Sequence, residues 1–476
     1  MTRPFTILVT GCLLASFTFA QALDPAKEVQ RANELVTEGK LEEAIPIYDG
    51  LVRAFPTNPG LLLNLCIAEF KARRYQNAIE HAYAALKLKP DLAPANLFLG
   101  ASYLQLGQHA NALDPLHRAL DAMPNDANAR LILAEALLAS KRYDEALVEF
   151  RKSCDLQPEN PKVWYGLGQV YDALSERASR DLQTTSPDSV YSLALAGDSY
   201  LRQRRFGSAF AAYRQALSTG PAIPGIHAGL ARVYKEIGHP QWAAQEEALE
   251  ATVPRLEATD NGPSASYASC KSYRDSAAQA YNRLAQLPPS LENHLHAVKT
   301  LDANGLHRDA AAEWRKALEL APGNIEVQMG LAWSLYKIRD FESLLPILES
   351  LLKENPDSPD GKFLCGATLL NLEQPEAAIP YLEAALRGDP QMRPAHAALG
   401  QTLLRAGRPE QAIPHLKTAL ASDEDGNAHF QLFRAYQLTG NHELAAQALA
   451  EYQKLRASLE KTKQVEEGSL ITAPGR

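Results

Sequence analysis

The residues able to do chemistry are few and badly spaced for it. His442-Glu443 opens as a zinc-binding His-Glu-x-x-His helix would, but Ala446 stands where the second histidine is needed, one turn on. A single histidine cannot share a metal, so no metal site is expected there. His294 and His296 are two apart in a helical pattern and diverge to different faces, one packed and one solvated. Gly166-Leu167-Gly168 lies inside a helical pattern rather than in the strand-to-helix turn that cradles phosphate. It reads as a place of close helix packing. Cys66, Cys270 and Cys365 fall at small core positions of their helices, and Cys154 falls late in another. They are spread without a CxxC pair, so neither a disulfide framework nor a thiolate metal site follows. No Ser/His/Asp set emerges from the spacing. The expectation is a protein that is not an enzyme, with no catalytic residue, no metal and no cofactor.

Such a chain works through its surface, and composition indicates what carries that surface. Ala and Leu dominate the 476 residues, aromatics are 7%, and β-branched runs are scarce. That favours helices. Thirty prolines and 27 glycines are too few for a low-complexity chain of this length. A net charge of −8 provides no whole-chain basic footprint for nucleic acid. Residues 1–22 read as a secretion signal. Arg3 supplies the positive end, Ile7 to Phe19 the apolar run, and Ala20-Gln21-Ala22 the small-x-small cleavage site. The alternative is a lipobox, Val9-Thr10-Gly11-Cys12, with Cys12 lipidated. No later segment reaches 18 apolar residues, so the mature chain is expected to have no membrane span and to be exported, periplasmic or secreted.

At a spacing of 34 residues one pattern returns along the chain. It runs Leu-Gly-x-x-Tyr, a turn Gly, Ala, a bulky residue four later, Ala three later, and Pro. One copy shows Leu99-Gly100, Tyr103, Gly107, Ala112, Leu116, Ala119 and Pro124. The copy at 161 opens with Trp164, Leu167-Gly168 and Tyr171, and the copy at 291 closes with Ala310, Trp314, Ala317 and Pro322. The copy at 393 has Leu399-Gly400, Gly407, Ala412, Leu416 and Ala419. Small residues at the eighth and twentieth positions let two antiparallel helices approach, and bulky ones fill the space between neighbouring pairs. Proline ends the second helix. Eleven near-complete copies start at 25, 59, 93, 127, 190, 224, 291, 325, 359, 393 and 426. Two stretches, 161–189 and 263–290, break the period yet match each other, from Pro161, Tyr165 and Gly168 against Pro263, Tyr267 and Cys270 onward. They read as shortened variant repeats, each with its two helices merged or joined by a tight turn, which makes thirteen units.

Over about 24–460 the chain resembles the tetratricopeptide-repeat (TPR) family. The resemblance implies an all-α fold, a right-handed α-solenoid of stacked antiparallel helix pairs forming a superhelix. Residues 23–257 would be an N-terminal array and 258–460 a C-terminal one, with a possible hinge at 252–262 and a disordered tail at 461–476. In this family the first helix of each repeat lines a concave groove, with positions 2, 5, 9 and 12 facing it. Carried over, the early groove is apolar: Leu63, Ile67, Phe70, Leu97, Leu104, Leu131 and Leu138. The middle groove has Tyr165, Gln169, Arg232, Lys235, Tyr267, Lys271, Arg274 and Lys299; the late one has Trp333, Tyr336, Phe363, Phe430 and Arg434. Five cations in an acidic protein would suit an acidic peptide or a terminal carboxylate. The competing reading pairs those charges with neighbouring Glu on solvated helix faces. Trp333 and Tyr336, one turn apart, form either an aromatic shelf or part of the core.

The functional expectation is a non-catalytic protein–protein interaction scaffold or adaptor, holding an extended peptide or a partner protein in the cell envelope. One alternative is a regulatory or accessory subunit of an envelope enzyme of glycan synthesis or proteolysis. Another is an outer-membrane assembly scaffold anchored by lipid at Cys12.

Overall fold

The computed structural model describes residues 24–254, 262–466 and 471–474. The expected cleavage site at Ala20 and Ala22 and the lipidation candidate Cys12 lie outside the described residues, as does most of the hinge expected at 252–262. All regular structure among the described residues is helical.

The chain forms two compact units, one up to Ser153 and one from Cys154, with the division inside a helix. In the first unit α1 (Pro25–Thr37) precedes α2 (Leu41–Ala54), and α3 (Pro59–Lys71) precedes α4 (Tyr75–Leu88). α5 (Ala93–Gln105) and α6 (His109–Ala122) follow, then α7 (Ala127–Ala139) and α8 (Tyr143–Leu156). The second unit opens with the single long helix α9 (Pro161–Thr185). Two pairs come next, α10 (Val190–Arg202) with α11 (Phe206–Thr219) and α12 (Ile226–Glu236) with α13 (Pro240–Glu250). A second long helix, α14 (Pro263–Gln286), follows. The unit then continues through α15 (Leu291–Ala303), α16 (His307–Leu320), α17 (Ile325–Lys337), α18 (Phe341–Glu354), α19 (Pro359–Asn371) and α20 (Pro375–Gly388). It ends with α21 (Arg393–Arg405), α22 (Pro409–Ala419), α23 (Asn427–Leu438) and α24 (His442–Glu466). The fold is thus an all-α solenoid of antiparallel helix pairs, and the eleven copies each become one pair.

Local chemistry sets the helix boundaries. Asp24, Asn58, Asn160 and Ser358 each cap the first turn with a side-chain oxygen and are followed by proline, which needs no amide partner there. The fifteenth residue of every copy turns the chain with positive φ. It is Gly at 39, 107, 238, 305, 407 and 440, but Arg73, Lys141, Arg204, Arg339 and Glu373 in the other five, at φ 58–60°. Packing follows the small positions. Ala44, Ala78, Ala112, Ala209, Ala243, Ala310, Ala378 and Ala412, all twentieth residues, have no exposed surface. At such density a larger side chain would cost about 1–3 kcal/mol through overpacking.

The two aberrant stretches are not a pair of shortened repeats. α9 and α14 are single unbroken helices that pack antiparallel against each other over much of their length. Ser175 donates to the carbonyl of Cys270 at 3.1 Å, and Tyr281 donates to Asp172 at 2.9 Å, 109 residues away. Gly168 is the eighth residue counted from Pro161. Ala277, Tyr281 and Pro289 are spaced as Ala112, Leu116 and Pro124 are in a regular copy. α9 is therefore the first helix and α14 the second helix of one repeat, split by an insertion that carries α10–α13. Among the described residues the helices make twelve pairs in place of thirteen units. The stretches match each other because both halves of this split repeat are long amphipathic helices.

The split also ties residues on both sides of the expected division at 257/258. Asp198 of α10 is bridged by Arg274 at 3.0 Å and Lys271 at 3.6 Å, both from α14. No boundary between compact units falls there. The tail expected to be disordered from 461 starts instead as helix, because α24 runs to Glu466.

Candidate functional site

The split repeat builds the most distinctive surface of the second unit. Tyr281 stands at its centre, between Gly168 on one side and His296 on the other, whose ring stacks on it at 3.8 Å. Its hydroxyl donates to Asp172, which also accepts from Lys299 Nζ at 2.9 Å. Burial first, and the Asp172 charge second, push the Tyr281 pKa far up, so the phenol stays a donor. Burial holds His296 below the ordinary imidazole value, which keeps it neutral against the ring.

Beside Tyr281 a groove of 440 Å³ opens, lined from α9, α10, α11, α12, α14 and α15. Leu201, Phe206 and Tyr281 give it apolar walls, while Arg202, Arg204, Arg232, Glu236 and Lys299 give it charge. Arg204 is committed to Glu236 at 3.5 Å and lies over the Phe206 ring. Lys299 is committed to Asp172. Arg202 and Arg232 form no hydrogen bond or ion pair among the described residues. Arg202 leaves part of its side chain open to solvent. Even so, burial among the helices and then the Arg274 charge lower its pKa, with the Asp198 charge opposing. An anion placed here would relieve that repulsion. A second groove of 660 Å³ shares Arg202, Asp172 and Tyr281 and runs along α9 past Ser175 and Arg180.

The residues expected to form the middle groove are sorted by the structure. Arg232 and Lys299 do line it. Lys271 and Arg274 are turned to Asp198, Lys235 is ion-paired with Glu247 and Lys299 with Asp172, so four of the five cations are held by acids on neighbouring helices. Tyr267 is 2% exposed and belongs to the core, donating to the Pro224 carbonyl at 2.8 Å and packing on Tyr191. Tyr165 and Gln169 are half-buried along α9, Tyr165 with its ring 6.4 Å from Tyr281 and its pKa pushed up to about 12 by burial. Trp333 and Tyr336 meet edge to face at 6.2 Å, with Phe363 5.9 Å from Trp333; both are half-buried, with one side in the core. In the early groove Leu131 is buried and the other leucines are half-buried.

Arg202, Asp172 and Asp198 were not singled out by sequence. Asp172 and Asp198 stand at positions 12 and 9 of their repeats, so the position rule contains them once acids are counted beside cations. Arg202 stands at position 13, outside the rule. Its neighbours come from α12 and α15, which no local pattern places beside it.

No group of three or more His, Cys, Asp or Glu able to hold a metal exists among the described residues. His294 is paired with Glu313 at 2.7 Å, so neither member of the 294/296 pair is simply solvated. Burial pushes the thiols up, to about 12 at Cys66 and about 11 at Cys154 and Cys365, and all four described cysteines are free thiols. No helix of the described residues is long and apolar enough to cross a membrane.

Tetratricopeptide-repeat family models match residues 29–93, 134–174, 329–393 and 369–431. The model for anaphase-promoting complex, cyclosome, subunit 3 matches residues 71–153. A TPR repeat-containing thioredoxin, TTL4 of Arabidopsis thaliana, is 31% identical over 104 residues, which is 21% of this chain and 15% of that protein. The chain thus spans a small part of that relative's length. Among solved structures, MamA from Desulfovibrio magneticus RS-1 is 28% identical over 31% of this chain and 84% of its own, with a TM-score of 0.30. Yeast Tom70 is 14% identical over 94% of this chain and 96% of its own, with a TM-score of 0.33. The helix pairs, the recurring small and bulky positions and these family matches agree, and the chain belongs to the tetratricopeptide-repeat family.

Proposed function

We propose that this chain is a non-catalytic scaffold that binds an acidic extended segment of a partner protein in the groove beside Tyr281. The observation that carries this is the pair Arg202 and Arg232, which face that groove without an acid to pair with, while neighbouring cations are paired. Repeats fill the described chain from Pro25 to Glu466, which supports a binding rather than a catalytic role. The leader-like residues 1–22 support work in an exported compartment, with the periplasm as the reading they favour.

The test is the affinity of a fluorescent hexaglutamate peptide for the purified chain and for the R202E/R232E variant. The native chain is expected to bind the peptide, and the variant to bind at least about tenfold more weakly, as does the native chain at high salt. A hexalysine peptide should not bind. Equal affinity of native and variant chains would remove the groove from consideration.

A further inference from the structure

A second site lies on the inserted pairs, away from the arginine groove and sharing no residue with it. Tyr234 of α12 is 1% exposed, and its ring packs edge-on against Trp242 at 5.5 Å and near Phe210 at 6.1 Å. A phenol that deep needs an acceptor for its hydroxyl. The acceptor comes from 238 residues away: Tyr234 donates to the main-chain carbonyl of Thr472 at 2.7 Å. The preceding residue, Ile471, is half-buried against the apolar cluster that contains Tyr234 and Phe210. Ala473 and Pro474 are half-buried too, while Thr472 points its side chain to solvent. Upstream, α24 packs against α11 and so delivers the segment to this face.

The contact has the character of peptide recognition rather than of core packing. The segment 471–474 forms no helix and ends in a turn. Among the described residues it is held by one hydrogen bond to its backbone and one aliphatic side chain against an apolar cluster. Such a seat reads a carbonyl and an apolar anchor, which many extended peptides can present. One hydrogen bond and one anchor must also offset the entropy of ordering the segment, so the contact is weak and exchangeable. Tethering compensates, because a linked segment experiences an effective concentration in the millimolar range.

We propose that the face around Tyr234 and Trp242 is a peptide seat filled in cis by Ile471–Pro474. A partner segment with an aliphatic anchor binds there only by displacing it. The inference does not depend on the acidic-peptide reading, since the occupant is uncharged at the contact.

The experiment uses a fluorescein-labelled peptide of residues 470–476 and follows anisotropy with three full-length or near full-length proteins. These are the native chain, the chain ending at Glu466, and full-length Ile471→Asp, which opens the seat without truncation. The shortened chain and the Ile471→Asp variant are expected to bind the peptide roughly tenfold or more tightly than the native chain, because they lack the tethered competitor. Tyr234→Phe in the shortened chain should weaken binding several-fold by removing the donor. Equal binding by native and opened chains would overturn the proposal, as would absence of binding to an Ile471→Asp chain that melts like the native one. A native chain that sediments as a dimer and turns monomeric on truncation would overturn the cis arrangement by showing that the segment docks on a second copy.

Discussion

The ring of Tyr281 fills the volume that any side chain at Gly168 would need: a Cβ built there would sit 2.4 Å from the tyrosine Cε1. These residues lie on α14 and α9, separated by the whole insertion, and their contact sets the register of the split repeat. Gly168→Ala is expected to destabilise the chain by about 1–3 kcal/mol through overpacking. The cost should shrink strongly in a Tyr281→Ala background, which already has room. A double-mutant cycle by urea denaturation checks this. Additive effects would show that α9 and α14 are not in that register.

Asp198 gathers three donors from two other helices: the Tyr213 hydroxyl at 2.7 Å, Arg274 at 3.0 Å and Lys271 at 3.6 Å. Asp198→Ala leaves these groups unpaired in a partly buried place and should cost about 1–3 kcal/mol. Asp198→Asn keeps an acceptor for Tyr213 and should cost less. Thermal unfolding of both variants measures the order, and equal losses would mean that the acceptor kept by Asn contributes nothing beyond the lost charge.

The turn residues with positive φ yield a gain. Lys141 and Glu373 adopt φ 60°, which an L side chain tolerates poorly. Lys141→Gly and Glu373→Gly should each raise stability by up to about 1 kcal/mol, the relief of strain outweighing glycine's added freedom when unfolded. The reverse change, Gly407→Ala at φ 71°, should lose about 1 kcal/mol or more. Denaturation midpoints decide. A loss on Lys141→Gly would show that its backbone is unstrained.

Two histidines make opposite contributions with pH. The hydrogen bond that His81 Nδ1 donates to Glu69 at 2.7 Å raises the His81 pKa above 6.5 although burial opposes it. Its stabilisation is therefore complete below pH 6.5 and is lost as pH rises through the folded value. Burial lowers His296 below 6.5, so this residue costs nothing above pH 6.5, and stability falls as pH drops through 6.5 toward the folded value. His81→Gln should remove the loss on the alkaline side, and His296→Phe, which keeps the ring stacked on Tyr281, the loss on the acid side. Unfolding free energies of the three proteins across this range test both signs. A His296→Phe chain with the native acid slope would contradict the second.

Much of the architecture is written in local pattern. Ala112, Leu116, Ala119 and Pro124 recur because each repeat packs mainly against its neighbours, so a rule confined to 34 residues carries the fold. Even the turn is legible where Gly107 or Gly407 marks it. Lys141 and Arg204 take the same turn without a glycine signal, because the helices on either side impose it.

What sequence alone determined was the helical class, the eleven regular pairs and the scarcity of reactive constellations, since all three follow from composition and short-range spacing. Tertiary structure decided the rest. It showed that α9 and α14, which look like two damaged repeats, are two halves of one. It placed Lys271 and Arg274 against Asp198 instead of in an open groove, leaving Arg202 and Arg232 as the cations of the Tyr281 groove that form no ion pair among the described residues. It also brought Thr472 to Tyr234. Each is a contact between residues tens to hundreds of positions apart. Such contacts depend on where whole helices come to rest when apolar faces and buried polar groups are satisfied together, and no local spacing encodes that position.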